Sequence, residues 1–567
     1  MSNDERMTKS QARSILHSLL TAYYLHLAIV CLCPVGGLVA QSKSDVSNPA
    51  RRRNQDPIDV GTRKQLFIDD LFFGSSRGVE LVVHSPVAAG VAIKADRPWE
   101  KGGLQSYHTI VPDPAAGHIK MYYMCFVREP GAQPEKRHIL CYATSPDGIH
   151  WEKPNLGLID FHGSKQNNIV MIAEPDSDQP TYNELGQVVI DPRDVPGRRY
   201  KMLYLAHPAA IMGAYSADGY RWTIGNDGKP ITRAIADSQN MFLWDDSIDR
   251  WVGYFRYWNA TRRVTRIETE EFWSWPFLYR EDIVLAPDAL DVYDKRLDGG
   301  FHRAGEVLDR REDKTRYSPD NPPDKFYWST DNPDHLDGVD FYNQPVIKYP
   351  YAERAYVMPF SAFYHRPDLL EIQLAISRDG IHWDRPGDRQ PWIRMPLADD
   401  DKTRRMYASP GVVRSGNQLY HYHTAIEQYH GGSPPGEYEI EKMPDYIGQI
   451  RRTELRLDGY VSATAGNLEG GFVTPPIVHN GKRLELNVDT SASGYVEVEL
   501  LDIYGSNPIG YQIKGYTRGE CDRIISNSTR RTVTWNGNSD VSQLAGKSIR
   551  MHVRMRNARL YAFQFVE

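Results

Sequence analysis

Ser145-Pro146-Asp147-Gly148-Ile149-His150-Trp151 follows a strand-forming run, His138-Ile139-Leu140-Cys141-Tyr142-Ala143-Thr144, and the chain repeats it. Ser216-Ala217-Asp218-Gly219-Tyr220-Arg221-Trp222 and Ser377-Arg378-Asp379-Gly380-Ile381-His382-Trp383 keep the Ser-x-Asp-Gly-x-x-Trp order. Thr269-Glu270-Glu271-Phe272-Trp273-Ser274-Trp275 keeps only the closing tryptophan. Asp-Gly after a strand supplies the local hydrogen bonds and the positive φ of a tight turn. Asp147, Asp218 and Asp379 are therefore read as turn residues, because a catalytic group is needed once and a turn in every repeat.

Outward from these turns the signals are strands. Runs at 120–126, 200–205, 251–257, 355–360 and 418–423 are each introduced by another apolar run, at 107–111, 187–190, 241–244, 342–347 and 406–413. Units of three to four strands match a propeller blade. A linear solenoid competes, but the stretches between turns are too long and irregular for it. After Gly459 shorter alternating strands take over (483–488, 495–500, 531–535, 549–554), as in an antiparallel sandwich. The expected fold is all-β: a five-bladed β-propeller over 61–463, with an insertion at 281–338, then an accessory β-sandwich over 464–567.

Composition agrees. A chain of 567 residues exceeds one core, and its 34 Tyr and 12 Trp suit sheets and sugar-facing surfaces. A net charge of -6 with interspersed signs excludes a polyanion partner, so no nucleic acid is expected. Arg6, Lys9 and Arg13, the apolar stretch 19–30 and the small residues before Ala40 read as a signal peptide over 1–40, followed by a flexible linker over 41–60. The expectation is a secreted or periplasmic protein with no membrane contact after cleavage; an uncleaved anchor helix is the alternative. Of five cysteines, Cys125, Cys141 and Cys521 remain, too few for a disulfide scaffold, and strand register decides whether Cys125 and Cys141 can meet. Asp331, Asp334, Asp337 and Asp340 crowd together without the spacing of a known calcium loop, so neither metal nor cofactor is expected.

In a propeller the innermost strands line a shaft, and the loops leading into them converge on one mouth. Residues entering those strands are the candidates, with those at the second-strand ends that return to the same face, Arg256 and His430 among them. Glu100, Asp237 and Asp340 are taken as catalytic carboxylates, Asp237 as base and Asp340 or Glu100 as acid. Tyr107, His108, Asn240, Arg256, Asn343, Asp401 and His430 are taken as substrate-binding. Asp113, Asp191 and Asp245 end their strands on the opposite face and are set aside.

The Ser-Pro-Asp-Gly-Ile-His-Trp turn, the following 152–158 stretch, Asn167-Asn168-Ile169-Val170, Asp237-Ser238-Gln239-Asn240 and Leu285-Ala286-Pro287-Asp288 resemble secreted five-bladed propeller proteins of planctomycete-type bacteria. These are similar to glycosyl hydrolase family 32, in the wider group with family 43 furanosidases. The resemblance implies the propeller and a carbohydrate substrate. It carries no catalytic residue over, since the family's Trp-x-Asn-Asp-Pro-Asn-Gly, Arg-Asp-Pro and Glu-Cys motifs are not in place. The expected function is a glycoside hydrolase working by carboxylate acid/base catalysis. A non-catalytic carbohydrate-binding propeller and a surface scaffold stay open, as does oligomeric state.

Overall fold

The computed structural model describes residues 56–127, 138–173, 182–206, 210–233, 238–259, 261–276, 282–288, 291, 339–364, 367–397, 401–430, 447–503 and 509–567. The expected signal peptide lies outside the described residues, as does most of the linker.

Five antiparallel units form the propeller. Blade one is Leu104–Asp113, His118–Phe126, His138–Ser145 and Ile169–Ile172, and blade two begins with Tyr182–Ile190, Tyr200–Ala206 and Ala210–Ser216. Blade three is Met241–Asp245, Arg250–Asn259, Thr261–Thr269 and Ile283–Leu285. Blade four is built on Val339–Asn343, Tyr356–Tyr364 and Leu369–Ser377, and blade five on Arg405–Ala408, Gln418–Ile426 and Gln449–Arg456. Blades four and five share one sheet through the parallel pair Leu370 and Arg405. No sheet closes on itself; the ring is made by packing, with the innermost strand of blade one lying against those of blades two and five.

The repeated turn holds neighbouring blades together. Gly148, Gly219 and Gly380 have φ of 77°, 86° and 73°, which a side chain would strain. Each aspartate caps its own turn: Asp147 accepts from the Ile149 and His150 amides at 2.7 and 2.8 Å. The glycine carbonyls then accept a tyrosine hydroxyl from the preceding blade, Tyr122 to Gly219 at 2.6 Å, Tyr254 to Gly380 at 2.8 Å and Tyr422 to Gly148 at 2.6 Å. The closing tryptophans Trp222, Trp383 and Trp151 set their rings edge-on to the same tyrosines at 5.9, 6.1 and 5.8 Å. At the degraded copy the partner position holds Leu203, packed with Phe272 and Trp275. At the same end of the blades, Asp113 and Asp245 accept the hydroxyls of Tyr200 and Tyr356 in the next blade.

Two boundaries move. Ile58–Gly61, Gln65–Leu66, Ser75–Arg77 and Glu80–Val83 belong to the sandwich sheets, not to the propeller, and Val461–Ala465 joins them. Val87–Lys94 then pairs antiparallel with Gln449–Arg456 as the outermost strand of blade five, so both ends of the propeller meet in one blade. The insertion expected from 281 starts later, because Ile283–Leu285 is the outer strand of blade three. Asp288 and Asp291 anchor the segment to Arg389 and Arg385 of blade four at 2.6 and 2.8 Å. Asp331, Asp334 and Asp337 lie outside the described residues.

The sandwich core is continuous, from Val60 and Phe67 through Val498 and Trp535 to Phe565. A second cluster, including Leu66, Trp392, Leu457 and Tyr460, welds it to blades four and five. Cys125 faces Ile139 and Cys141 faces Tyr123, so the two cysteines are diagonal neighbours, both buried free thiols.

Candidate functional site at the propeller mouth

Four blades meet around Arg256. It projects from the second strand of blade three and is 1% exposed. Nε donates to the Tyr342 carbonyl of blade four at 2.9 Å, and Nη2 to the Tyr107 hydroxyl of blade one at 3.4 Å. The guanidinium also lies 4.3 Å from the Tyr342 ring centroid, a cation–π distance. The Tyr342 hydroxyl pairs with His430 Nε2 at 2.9 Å, and the His430 ring lies tilted against Phe363 at 4.6 Å. Tyr407 of blade five stands edge-on to both Tyr107 and Tyr342, at 6.1 and 5.5 Å. Asn240 holds the Arg256 amide at 3.1 Å, fixing the backbone from which the guanidinium reaches.

The structure thus gathers Tyr107, Asn240, Arg256 and His430 as expected. It adds Tyr342, Tyr407 and Phe363, whose only signal in the sequence was an aromatic in or beside an inner strand. Glu184 enters on blade two's inner strand beside Tyr182, whose phenol is pushed well above its usual range by burial and then by the Glu184 charge.

The other candidates are engaged elsewhere. Asp237 lies outside the described residues. Glu100 is fully buried in the turn Pro98–Glu100, against the flank of blade one. Its carboxylate accepts from the Asp96 and Arg97 amides at 2.9 and 3.1 Å, from Lys153 Nζ at 2.7 Å and from the Tyr123 hydroxyl at 2.7 Å. A carboxylate with four protein donors and no solvent cannot reach a glycosidic oxygen, so Glu100 is a structural anchor and not a catalytic acid. Asp340 is 1% exposed and bound to Arg262 Nη1 at 2.6 Å across blades three and four. That pair ties the two blades together, so Asp340 is a joint between them rather than a catalytic acid.

Asn343 bridges the Ala408 carbonyl and the Ser361 amide at 2.9 and 3.2 Å, a joint between blades four and five rather than a ligand contact. Asp401 is bound by Arg451 at 2.5 Å and by Thr403. Partial burial would raise its pKa, but those partners outweigh burial and hold it low. His108 is completely buried, with Nδ1 2.9 Å from the Thr424 hydroxyl; burial and then His423 lower its pKa to about 3, so it stays neutral. Among the described residues, His108 Nε2, Gln239 Oε1, Gln344 Oε1, Tyr407 OH and His423 Nδ1 meet no protein partner. The inner strands and the segments beside them therefore present polar groups that call for solvent or ligand partners.

No protein-family model and no curated protein sequence matches the chain. Solved structures do. A protein described as a glycoside hydrolase is 13% identical, with 66% of this chain and 92% of that one covered at a TM-score of 0.41. A thermostable family-43 glycoside hydrolase is 13% identical over 64% and 93% of the two chains, TM-score 0.36. A family-32 β-fructofuranosidase of Bombyx mori in complex with sucrose is 10% identical over 93% and 98%, TM-score 0.35. At such identities these are likenesses only, and no residue role or substrate passes from them to this chain.

Proposed function

We propose that this protein is a secreted glycoside hydrolase whose substrate sits at the mouth of the propeller shaft. One observation carries the reading: Tyr107, Arg256, Tyr342 and His430, from separate blades and a loop, converge on one another. Aromatic rings stack on the apolar faces of sugars, while a guanidinium and an imidazole bond hydroxyls or a uronic carboxylate. Hydrolysis needs two carboxylates astride the scissile bond, one of them protonated. With Glu100 and Asp340 committed to cations, the reading assigns Asp237 as base and Glu184 as acid.

A second reading, a propeller that binds carbohydrate without cleaving it, is favoured by one specific finding. Two of the three carboxylates expected at the mouth are locked into the buried pairs Glu100–Lys153 and Asp340–Arg262. Reducing-sugar release from a panel of polysaccharides separates the two. Hydrolysis requires release by the wild-type protein and its loss in Glu184→Gln and Asp237→Asn at unchanged melting temperature. Binding of a panel member with no release from any selects the second reading.

A further inference from the structure

Between the propeller and the sandwich lies a cleft of about 350 Å³, within the size range of small-molecule sites. Tyr351 of blade four and Arg414 of blade five form one wall; Lys64, Glu485, Arg530 and Gln564 of the sandwich form the other. Its charges are unevenly matched. Arg530 grips Glu485 at 2.9 and 3.3 Å, and that pair cancels. Lys64 Nζ is 2.8 Å from Asp458, a fully buried carboxylate that also accepts from the Tyr349 hydroxyl at 2.7 Å and Asn487 at 3.0 Å. Arg414 spends Nε on the Gly416 carbonyl at 3.0 Å and rests 5.2 Å from the Tyr351 ring centroid. Among the described residues no carboxylate pairs with Arg414.

We propose that this cleft is a second, non-catalytic saccharide site, which takes the carboxylate of an acidic sugar residue on the Arg414 guanidinium. A guanidinium without a counter-charge presents a planar fork of donors matched to a carboxylate. The Gln564 side-chain oxygen, whose amide nitrogen donates to the Thr62 carbonyl at 2.9 Å, and the Tyr351 hydroxyl offer the contacts that distinguish a sugar acid from a bare anion. The site is independent of the mouth, and either can fail without the other. Its two walls belong to one compact unit, joined by the cluster around Trp392 and Tyr460.

Calorimetric titration of the full chain with sodium glucuronate and with a tetragalacturonide tests this. Binding is expected for both, weakened roughly tenfold or more by the exposed-site variant Arg414→Gln and unchanged by Arg221→Gln, an exposed arginine of the blade-two turn that belongs to neither site. Methyl β-glucoside is expected not to bind there, and sodium sulfate is expected not to displace the tetragalacturonide at equal concentration. The proposal is overturned by absence of binding, by binding that Arg414→Gln leaves intact or Arg221→Gln weakens equally, by equal affinity for the neutral glucoside, or by equal competition from sulfate.

Discussion

The Tyr422 hydroxyl of blade five donates to the Gly148 carbonyl of blade one at 2.6 Å, and so the last blade grips the turn of the first. The same bond recurs between Tyr122 and Gly219, but the two acceptors differ in their reserves. Gly148 also accepts from Trp151 Nε1 at 3.3 Å, whereas Trp222 Nε1 is buried without a partner. Tyr422→Phe should therefore cost about 1 kcal/mol, an ordinary net hydrogen bond, and Tyr122→Phe about 1–3 kcal/mol, because a buried carbonyl is left bare. Urea unfolding of the two variants checks the order.

Leu203 stands where blades one, three and five carry the grasping tyrosine, and it faces Phe272 and Trp275 instead of an Asp-Gly turn. Leu203→Tyr adds a ring and a hydroxyl to a filled apolar joint. A loss of about 1–3 kcal/mol is expected from overpacking. Thermal melting of this variant should fall; an unchanged or raised melting temperature would show that the joint has room to spare.

Stability should depend on three neutral histidines. Burial, first of all, lowers the pKa values of His108, His421 and His423 to about 3 from 6.5. As pH falls below 6.5 the unfolded chain takes up these protons before the folded one does. Stability is thus whole above 6.5 and lost progressively down to about 3, at up to roughly 1.4 kcal/mol per pH unit for each histidine. Urea midpoints between pH 5 and 7.5 should rise with pH, and His421→Gln, which removes one titrating group, should flatten the slope.

Glu100 and Lys153 are a buried pair at 2.7 Å. Lys153→Met leaves the carboxylate buried without its cation, and about 3–5 kcal/mol of stability should go with it. Saccharide cleavage or binding per folded molecule should not change, since neither residue reaches the mouth. Calorimetric melting together with activity normalised to folded protein separates these effects.

The propeller was legible because its turn is local: Ser145 to Trp151 contains its own hydrogen-bond donors and acceptors. The N-terminal strands were not, since Glu80–Val83 carries no motif and its sheet partner Val461–Ala465 lies nearly four hundred positions away. The same limit governed the acids. Strand position says at which end of a blade Glu100 and Asp340 begin, but Lys153 and Arg262, which claim them, come from distant turns and strands. Arg256, His430 and Tyr107 were found because an inner strand, or the end of the second strand that returns to the same face, fixes direction as well as position. Tyr342 and Tyr407 were hidden among the many aromatics that merely fill blades.

The most direct measurement is a crystal structure of the protein soaked with whichever saccharide the hydrolysis panel selects. A sugar ring packed on Tyr342 or Tyr107, with a hydroxyl or carboxylate on Arg256 and His430, is the expected result. Saccharide bound elsewhere on the molecule, with those four side chains bare, would contradict the account.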